Sequence, residues 1–137
     1  MTGNDGRPGP AYLGGIALVS LSVLYFLFWA GVDVAARLGV WPDGWLGFTG
    51  EAFIASLTVL DETLFVLQGA AKFLTLYWLI KRDRRAVFTL AAVIILGTVQ
   101  WILLLSNPVY DGGSDGYIAL LVDLAAFGLL MQWRMSR

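Results

Sequence analysis

Residues 52–80 have the sequence AFIASLTVLDETLFVLQGAAKFLTLYWLI, a long apolar run that carries Asp61, Glu62, Gln68 and Lys72. About 20 mostly apolar residues are enough for an α-helix to cross a bilayer, so this run predicts a transmembrane helix. Each ionisable side chain near the centre of such a helix costs roughly 2.5 to 3.5 kcal/mol to insert. Three of them on one helix therefore predict protein partners, water or a functional site.

The composition of the whole chain is that of a membrane protein. Of its 137 residues, 58% are apolar and 14% are charged, whereas a soluble domain has about 45–50% and about 25%. This length fits one domain without a separate soluble module. The net charge of −1 and the scattered basic residues argue against a nucleic-acid partner.

The chain contains no cysteine and no histidine. This excludes disulfides, thiolate nucleophiles, histidine-ligated haem and the usual zinc sites. We therefore expect no metal and no cofactor. Any chemistry must come from carboxylates, Lys72, amides, hydroxyls or indoles.

Three further apolar runs predict helices at about 11–38, 86–106 and 117–133, in addition to the helix at 52–80. Residues 1–10 are rich in Gly and Pro and predict a flexible cytoplasmic tail, which leaves 11–137 as a single transmembrane domain of four helices. The first connection, 40–51, places a Pro-Asp-Gly turn between two tryptophans. This is typical of an anchor at the membrane–water boundary, with a lid over a site as the alternative.

The positive charges predict the orientation in the membrane. Arg7, the KRDRR cluster at 81–85, Arg134 and Arg137 fall on one side, and Arg37 alone falls on the other. The positive-inside tendency then makes both termini cytoplasmic. Short connections predict an all-α antiparallel bundle of two helical hairpins. We expect an integral protein of a bacterial cytoplasmic (inner) membrane.

This topology places a polar group of every helix in the outer half of the membrane, namely Asp33, Asp61, Gln100 and Asp123. On the second helix, polar residues and one aromatic recur every three or four positions and form one stripe. The stripe consists of Thr58, Asp61, Phe65, Gln68, Lys72 and Thr75. Glu62 lies at its edge. We expect an interior that is polar on the outer side and narrows inward through Gln68 to Lys72.

The predicted ligand-binding residues belong to this outer group, to the stripe and to the first helix. They are Asp61, Glu62, Asp123, Gln100, Gln68, Trp29, Asp33 and Lys72. Lys72 lies about 16 Å from Asp61 along the helix axis, so the two cannot pair directly. Lys72 has two alternatives: it pairs with Asp123 or extends toward the cytoplasmic headgroups. Instead of binding a ligand, Asp33 could simply lie at the membrane–water boundary. Gln100 could instead form a hydrogen bond between helices, which contributes about 0.6 kcal/mol.

Three functions fit this pattern. The favoured hypothesis is an outward-facing acidic pocket that binds or transports a cation, a proton or a lipophilic amine, with nearby aromatic rings adding cation–π contacts. So few helices would require a homodimer for transport. The second is an intramembrane enzyme that acts on a lipid or isoprenoid, isomerase- or cyclase-like, with Asp61, Glu62 and Asp123 as acid and base. The third is an accessory subunit of a larger membrane complex, in which the polar residues are structural and the apolar exterior meets lipid and partners.

Overall fold

The structure, a computed structural model, describes residues 8–109 and 115–136, and the regular secondary structure in these ranges is helical. The helices are α1 (Pro10–Arg37), α2 (Gly50–Ser56), α3 (Val59–Ile80), α4 (Arg85–Leu104) and α5 (Asp115–Met135), with a short 3-10 turn at Trp45–Gly47. Four of them, α1, α3, α4 and α5, are long and apolar enough to cross a membrane. This confirms the predicted all-helical class and the predicted number of helices of membrane-spanning length. The predicted tail, 1–10, lies mostly outside the described residues.

The predicted continuous helix over 52–80 is wrong at its start, because the structure divides it into α2 and α3. Leu57 and Thr58 between them have extended backbone. The Thr58 hydroxyl accepts a hydrogen bond from the Asp61 backbone N–H at 3.2 Å, and Asp61 Oδ2 accepts one from the Thr58 backbone N–H at 2.8 Å. This reciprocal capping box satisfies the free N–H groups at the first turn of α3, so the helix begins there. The other three spans begin and end within two residues of the prediction.

The four long helices pack as a bundle in which each contacts two others. Helix α1 packs against α3 and α5, and α4 also packs against α3 and α5. Among the described helices, the short α2 packs against α1. A buried hydrogen bond of 2.6 Å from the Tyr12 hydroxyl to the Leu79 carbonyl joins the start of α1 to the end of α3. The interior is therefore enclosed by all four long helices.

One end of the bundle, where α1 begins and α3 ends, is filled with apolar side chains; we call it the packed end. Leu79, Leu90 and Leu130 are almost completely buried there. The rings of Tyr12 and Trp133 pack beside them at a tilt, with centroids 5.2 Å apart. Close packing of this kind fills the interior of this half with side chains of the described residues.

At the opposite end, which we call the open end, a separate aromatic cluster covers the last turns of α1. Val32 and Ala36 of α1 contact Phe48 and Phe53, whose rings stack at 4.9 Å. Trp41 stacks in turn on Phe48 at 5.8 Å. The connection and α2 thus form a folded wall at this end. They leave the space between the two clusters open to one side.

Candidate functional site

A cavity of about 260 Å³ lies between the packed end and the open end. This is close to the lower limit of about 300–1,000 Å³ for small-molecule pockets. The cavity is lined by all eight residues predicted to bind a ligand: Trp29, Asp33, Asp61, Glu62, Gln68, Lys72, Gln100 and Asp123. The structure therefore brings these residues together, while their role in binding stays a prediction.

Arg37 forms ion pairs with Asp33 and Glu62 at the mouth of the cavity, and we call these three residues the clasp. Arg37 Nε is 2.9 Å from Asp33 Oδ2 one turn earlier on α1, and its Nη2 is 2.7 Å from Glu62 Oε1 on α3. The side chains are partly exposed, so solvent weakens the attraction. The clasp nevertheless orients two carboxylates and crosses from one helix to its neighbour. It also shows where Glu62 points, which the sequence pattern left open.

Arg37 lines the cavity although it was not among the predicted site residues. The signal was present in the sequence, because Arg37 follows Asp33 by four positions, the spacing at which opposite charges meet on a helix. It also extends the line of Ser22, Phe26, Trp29 and Asp33 by one more turn. From the sequence, Arg37 was interpreted only as the single positive charge on its side of the membrane.

Asp61 has a structural role and also lines the cavity. Its Oδ2 accepts hydrogen bonds from both the backbone N–H and the hydroxyl of Thr58, each at 2.8 Å. Its Oδ1 accepts no hydrogen bond from the residues described in the structure, and the side chain is 8% exposed. One oxygen therefore holds the start of α3, and the other remains available to a ligand.

The floor of the cavity is a group of three buried polar residues from three helices. The Ser22 hydroxyl of α1 donates to Asp123 Oδ1 of α5 at 2.6 Å. The Ser22 carbonyl accepts a hydrogen bond from Lys72 Nζ of α3 at 3.4 Å. Lys72 also attracts Asp123 electrostatically and lies over the Tyr25 ring at 5.9 Å. Ser22 thus connects the positive and the negative group.

This arrangement corrects the grouping suggested by depth along the sequence. That grouping placed Asp123 with Asp61 and Gln100, and placed Lys72 deeper on the inner side. In the structure Asp123 is grouped with Lys72 through Ser22, whereas Asp61 lies at the mouth with its cap. Lys72 is buried and is linked to Asp123 only through Ser22, without a direct ion pair among the described residues. A buried ammonium and a buried carboxylate reduce their desolvation cost by sharing a polar partner.

The walls between mouth and floor are largely aromatic. The Phe26 ring of α1 packs on Phe65 of α3 with centroids 4.6 Å apart and meets Phe73 edge-on at 6.2 Å. The ring lies directly over Gly69, where a Cβ atom would overlap it. Gly97 on α4 in the same way provides room for the amide of Gln68. Both glycines therefore shape the cavity wall.

No metal site accompanies this cavity in the part of the chain that the structure describes, where no group of three or more acidic side chains could hold an ion. The fold defines the class of protein: a helix bundle with four helices of membrane-spanning length and composition. Comparison with known families, characterised proteins and solved structures finds no significant match. The function must therefore be argued from the cavity itself.

Proposed function

We propose that the chain is an integral protein of a bacterial cytoplasmic membrane whose spans are antiparallel, with both termini in the cytoplasm and the cavity open to the outside. The distribution of charge supports this orientation. The 81–85 cluster and Arg134 lie at the packed end, and Arg37 at the open end is bound by two carboxylates. The many exposed leucine, isoleucine and phenylalanine side chains on the spans support contact with lipid.

The protein binds a lipophilic amine in this cavity, as the first step of its transport. The observation that carries this proposal is the excess of acid among the cavity residues. Four carboxylates line the cavity against two basic side chains, and the rest of the lining is mainly aromatic or aliphatic. An apolar pocket with a surplus of negative charge favours a ligand with an alkyl or aromatic body and a positive end.

Asp61 is the carboxylate best placed to receive the ammonium group. Asp33 and Glu62 already share Arg37, and Asp123 is close to Lys72, which repels a second cation. Asp61 Oδ1 accepts no hydrogen bond from the described residues. The side chains of Trp29 and Phe65 line the same cavity and supply aromatic faces to the ligand.

An intramembrane enzyme with paired carboxylates has less support. Asp61 is bonded to Thr58 at the mouth, and Asp123 is bonded to Ser22 at the floor. An acid and a base that act on one reacting centre must both come within hydrogen-bond reach of it. A homodimer and a role as an accessory subunit stay predictions.

The test uses the full chain in lipid nanodiscs, titrated with octylamine and with octanol as a neutral probe of the same length. We expect octylamine to bind more tightly. The variant Asp61→Asn should bind octylamine about 10- to 100-fold more weakly, since a hydrogen bond to a charged group contributes about 1.5–3 kcal/mol. The introduced asparagine keeps a side-chain oxygen for the Thr58 cap, so α3 should still begin at the same residue.

The matched control is Asp43→Asn, which removes an equal charge from the exposed turn outside this cavity. It should leave the octylamine affinity unchanged. Equal affinities for octylamine and octanol would refute the proposal. If Asp61→Asn binds octylamine as tightly as the wild type, the ammonium group binds at another carboxylate, and the assignment to Asp61 is refuted.

A further inference from the structure

The chain has two lysines in opposite surroundings. Lys81 follows the last residue of α3 and is exposed. Lys72 is 3% exposed, lies within α3 and lines the cavity. One amine is therefore in solvent, and the other is in an enclosed apolar space that a ligand can reach.

The bonding of Lys72 is incomplete. An ammonium group has three N–H donors. Among the residues that the structure describes, Lys72 Nζ forms one hydrogen bond, a long one of 3.4 Å to the Ser22 carbonyl. No described carboxylate lies within ion-pair distance of 4.0 Å of it. Buried ammonium groups that serve only structure have good geometry and satisfied donors, because desolvation is otherwise uncompensated. Lys72 thus presents a reactive atom to the cavity.

We propose that Lys72 forms an imine with a lipophilic aldehyde that enters the cavity. Lysine amines in apolar pockets are the groups that form Schiff bases with carbonyl substrates. The surroundings suit the product, which is a cation of the same charge as the lysine it replaces. Asp123 provides the counter-ion, and the Tyr25 ring at 5.9 Å provides a cation–π contact.

The reaction balances with the groups at the floor of the cavity. A water molecule in the cavity carries a proton from the Lys72 ammonium to Asp123, since the two groups do not lie within 4.0 Å of each other, and the free amine attacks the aldehyde carbon to give a carbinolamine. A proton moves from nitrogen to the carbinolamine oxygen. Asp123 then returns its proton to the hydroxyl, the C–O bond breaks and water leaves. The nitrogen and carbon share a new double bond, and the protonated imine faces the Asp123 carboxylate. The aldehyde and the ammonium are consumed, and the iminium and one water are formed.

The walls of the cavity determine which aldehydes fit. The rings of Phe26, Phe65 and Trp101 line the same cavity as Lys72 and match an alkyl or polyene chain better than a polar one. Aldehydes of this kind dissolve in the bilayer and are therefore concentrated beside the protein. This inference does not depend on amine binding at Asp61, because it concerns a different residue and a covalent product.

The test is to incubate the full chain in nanodiscs with decanal, reduce with sodium borohydride, digest the protein and locate the added mass by mass spectrometry. Borohydride converts an imine into a stable secondary amine. We expect the decyl group on Lys72 in severalfold excess over Lys81. Propanal, a small water-soluble aldehyde, should lose this preference and label the exposed Lys81 at least as well.

Two variants complete the experiment. Lys72→Arg keeps the positive charge and should abolish labelling within α3, while the labelling of Lys81 is unchanged. Asp123→Asn should reduce the labelling of Lys72, because the counter-ion is lost. The wild-type comparison of the two lysines needs neither variant to fold. Decanal that labels Lys81 as much as Lys72, or only Lys81, would overturn the proposal.

Discussion

Replacement of Gly69 by alanine tests whether the wall of the cavity is as tightly packed as the structure shows. A Cβ atom at this position would fall on Phe26 Cζ, with Cε1 and Cε2 of the same ring each 2.7 Å away. Carbon atoms in contact lie about 3.5–4.0 Å apart, so the ring has to move by roughly 1 Å. Phe65 and Phe73, one turn before and one turn after Gly69 on the same helix, flank the ring. Because the Phe26 ring lines the cavity, its displacement changes the shape of the cavity.

The loss of stability in Gly69→Ala is measured against a matched control at Gly128. Gly128 lies within α5, and a Cβ there meets nothing within 4 Å. Gly128→Ala should stabilise the protein by up to about 1 kcal/mol through helix propensity alone. Overpacking of a side chain costs about 1–3 kcal/mol. Because both variants gain the same propensity, Gly69→Ala should be less stable than Gly128→Ala by about 1–3 kcal/mol.

Unfolding of the purified variants by sodium dodecyl sulfate, followed by tryptophan fluorescence, measures this difference. Octylamine titration supplies a second measurement, in which Gly69→Ala should lose affinity and Gly128→Ala should not. Truncation of the ring in Phe26→Leu should restore stability to Gly69→Ala. Equal stability of the two alanine variants would refute the close contact between Gly69 and Phe26.

The remaining predictions concern the start of α3 and the mouth of the cavity. Thr58→Ala should destabilise the protein by about 1 kcal/mol and speed amide hydrogen exchange in the first turn of α3, because it removes the helix cap. Thr63→Ala, which removes only a hydroxyl that bonds to the carbonyl one turn earlier, should leave that exchange unchanged; equal exchange in both variants would contradict the role of the cap. Arg37→Gln should raise the affinity for octylamine severalfold, since it frees Asp33 and Glu62 to attract a cation, and a fall in affinity would contradict this.

The four spans could be predicted from the sequence because their apolar runs are long and are interrupted by loops with Gly, Pro or charge. The division of 52–80 was missed although its signal was present. Thr58 and Asp61 have the three-residue spacing of a capping box. They were interpreted instead as part of a polar stripe, which the same spacing also produces. A cap and a stripe are distinguished only by whether the preceding backbone is extended.

Which residues line the cavity could also be predicted, but which of them lie next to one another could not. The rise per residue converts a sequence position only into a depth along the helix. By depth alone, Asp123 was placed beside Asp61. What decides the grouping is Ser22 on α1, whose hydroxyl bonds to Asp123 of α5 and whose backbone carbonyl accepts a bond from Lys72 of α3. Its position depends on how the helices are rotated about their axes, and that rotation is set by packing between helices.

The packed end determines where the transmembrane voltage falls along the protein. In the proposed orientation, solvent that fills the cavity carries the potential of the outer solution inward as far as Lys72. From there to Ile80 the helix rises only about 12 Å, so most of the transmembrane voltage falls across this short apolar layer. A cation that arrives from outside therefore meets little of the field before it reaches Lys72. Further passage through the layer would involve nearly the full voltage, about 2.3 kcal/mol per charge for each 100 mV.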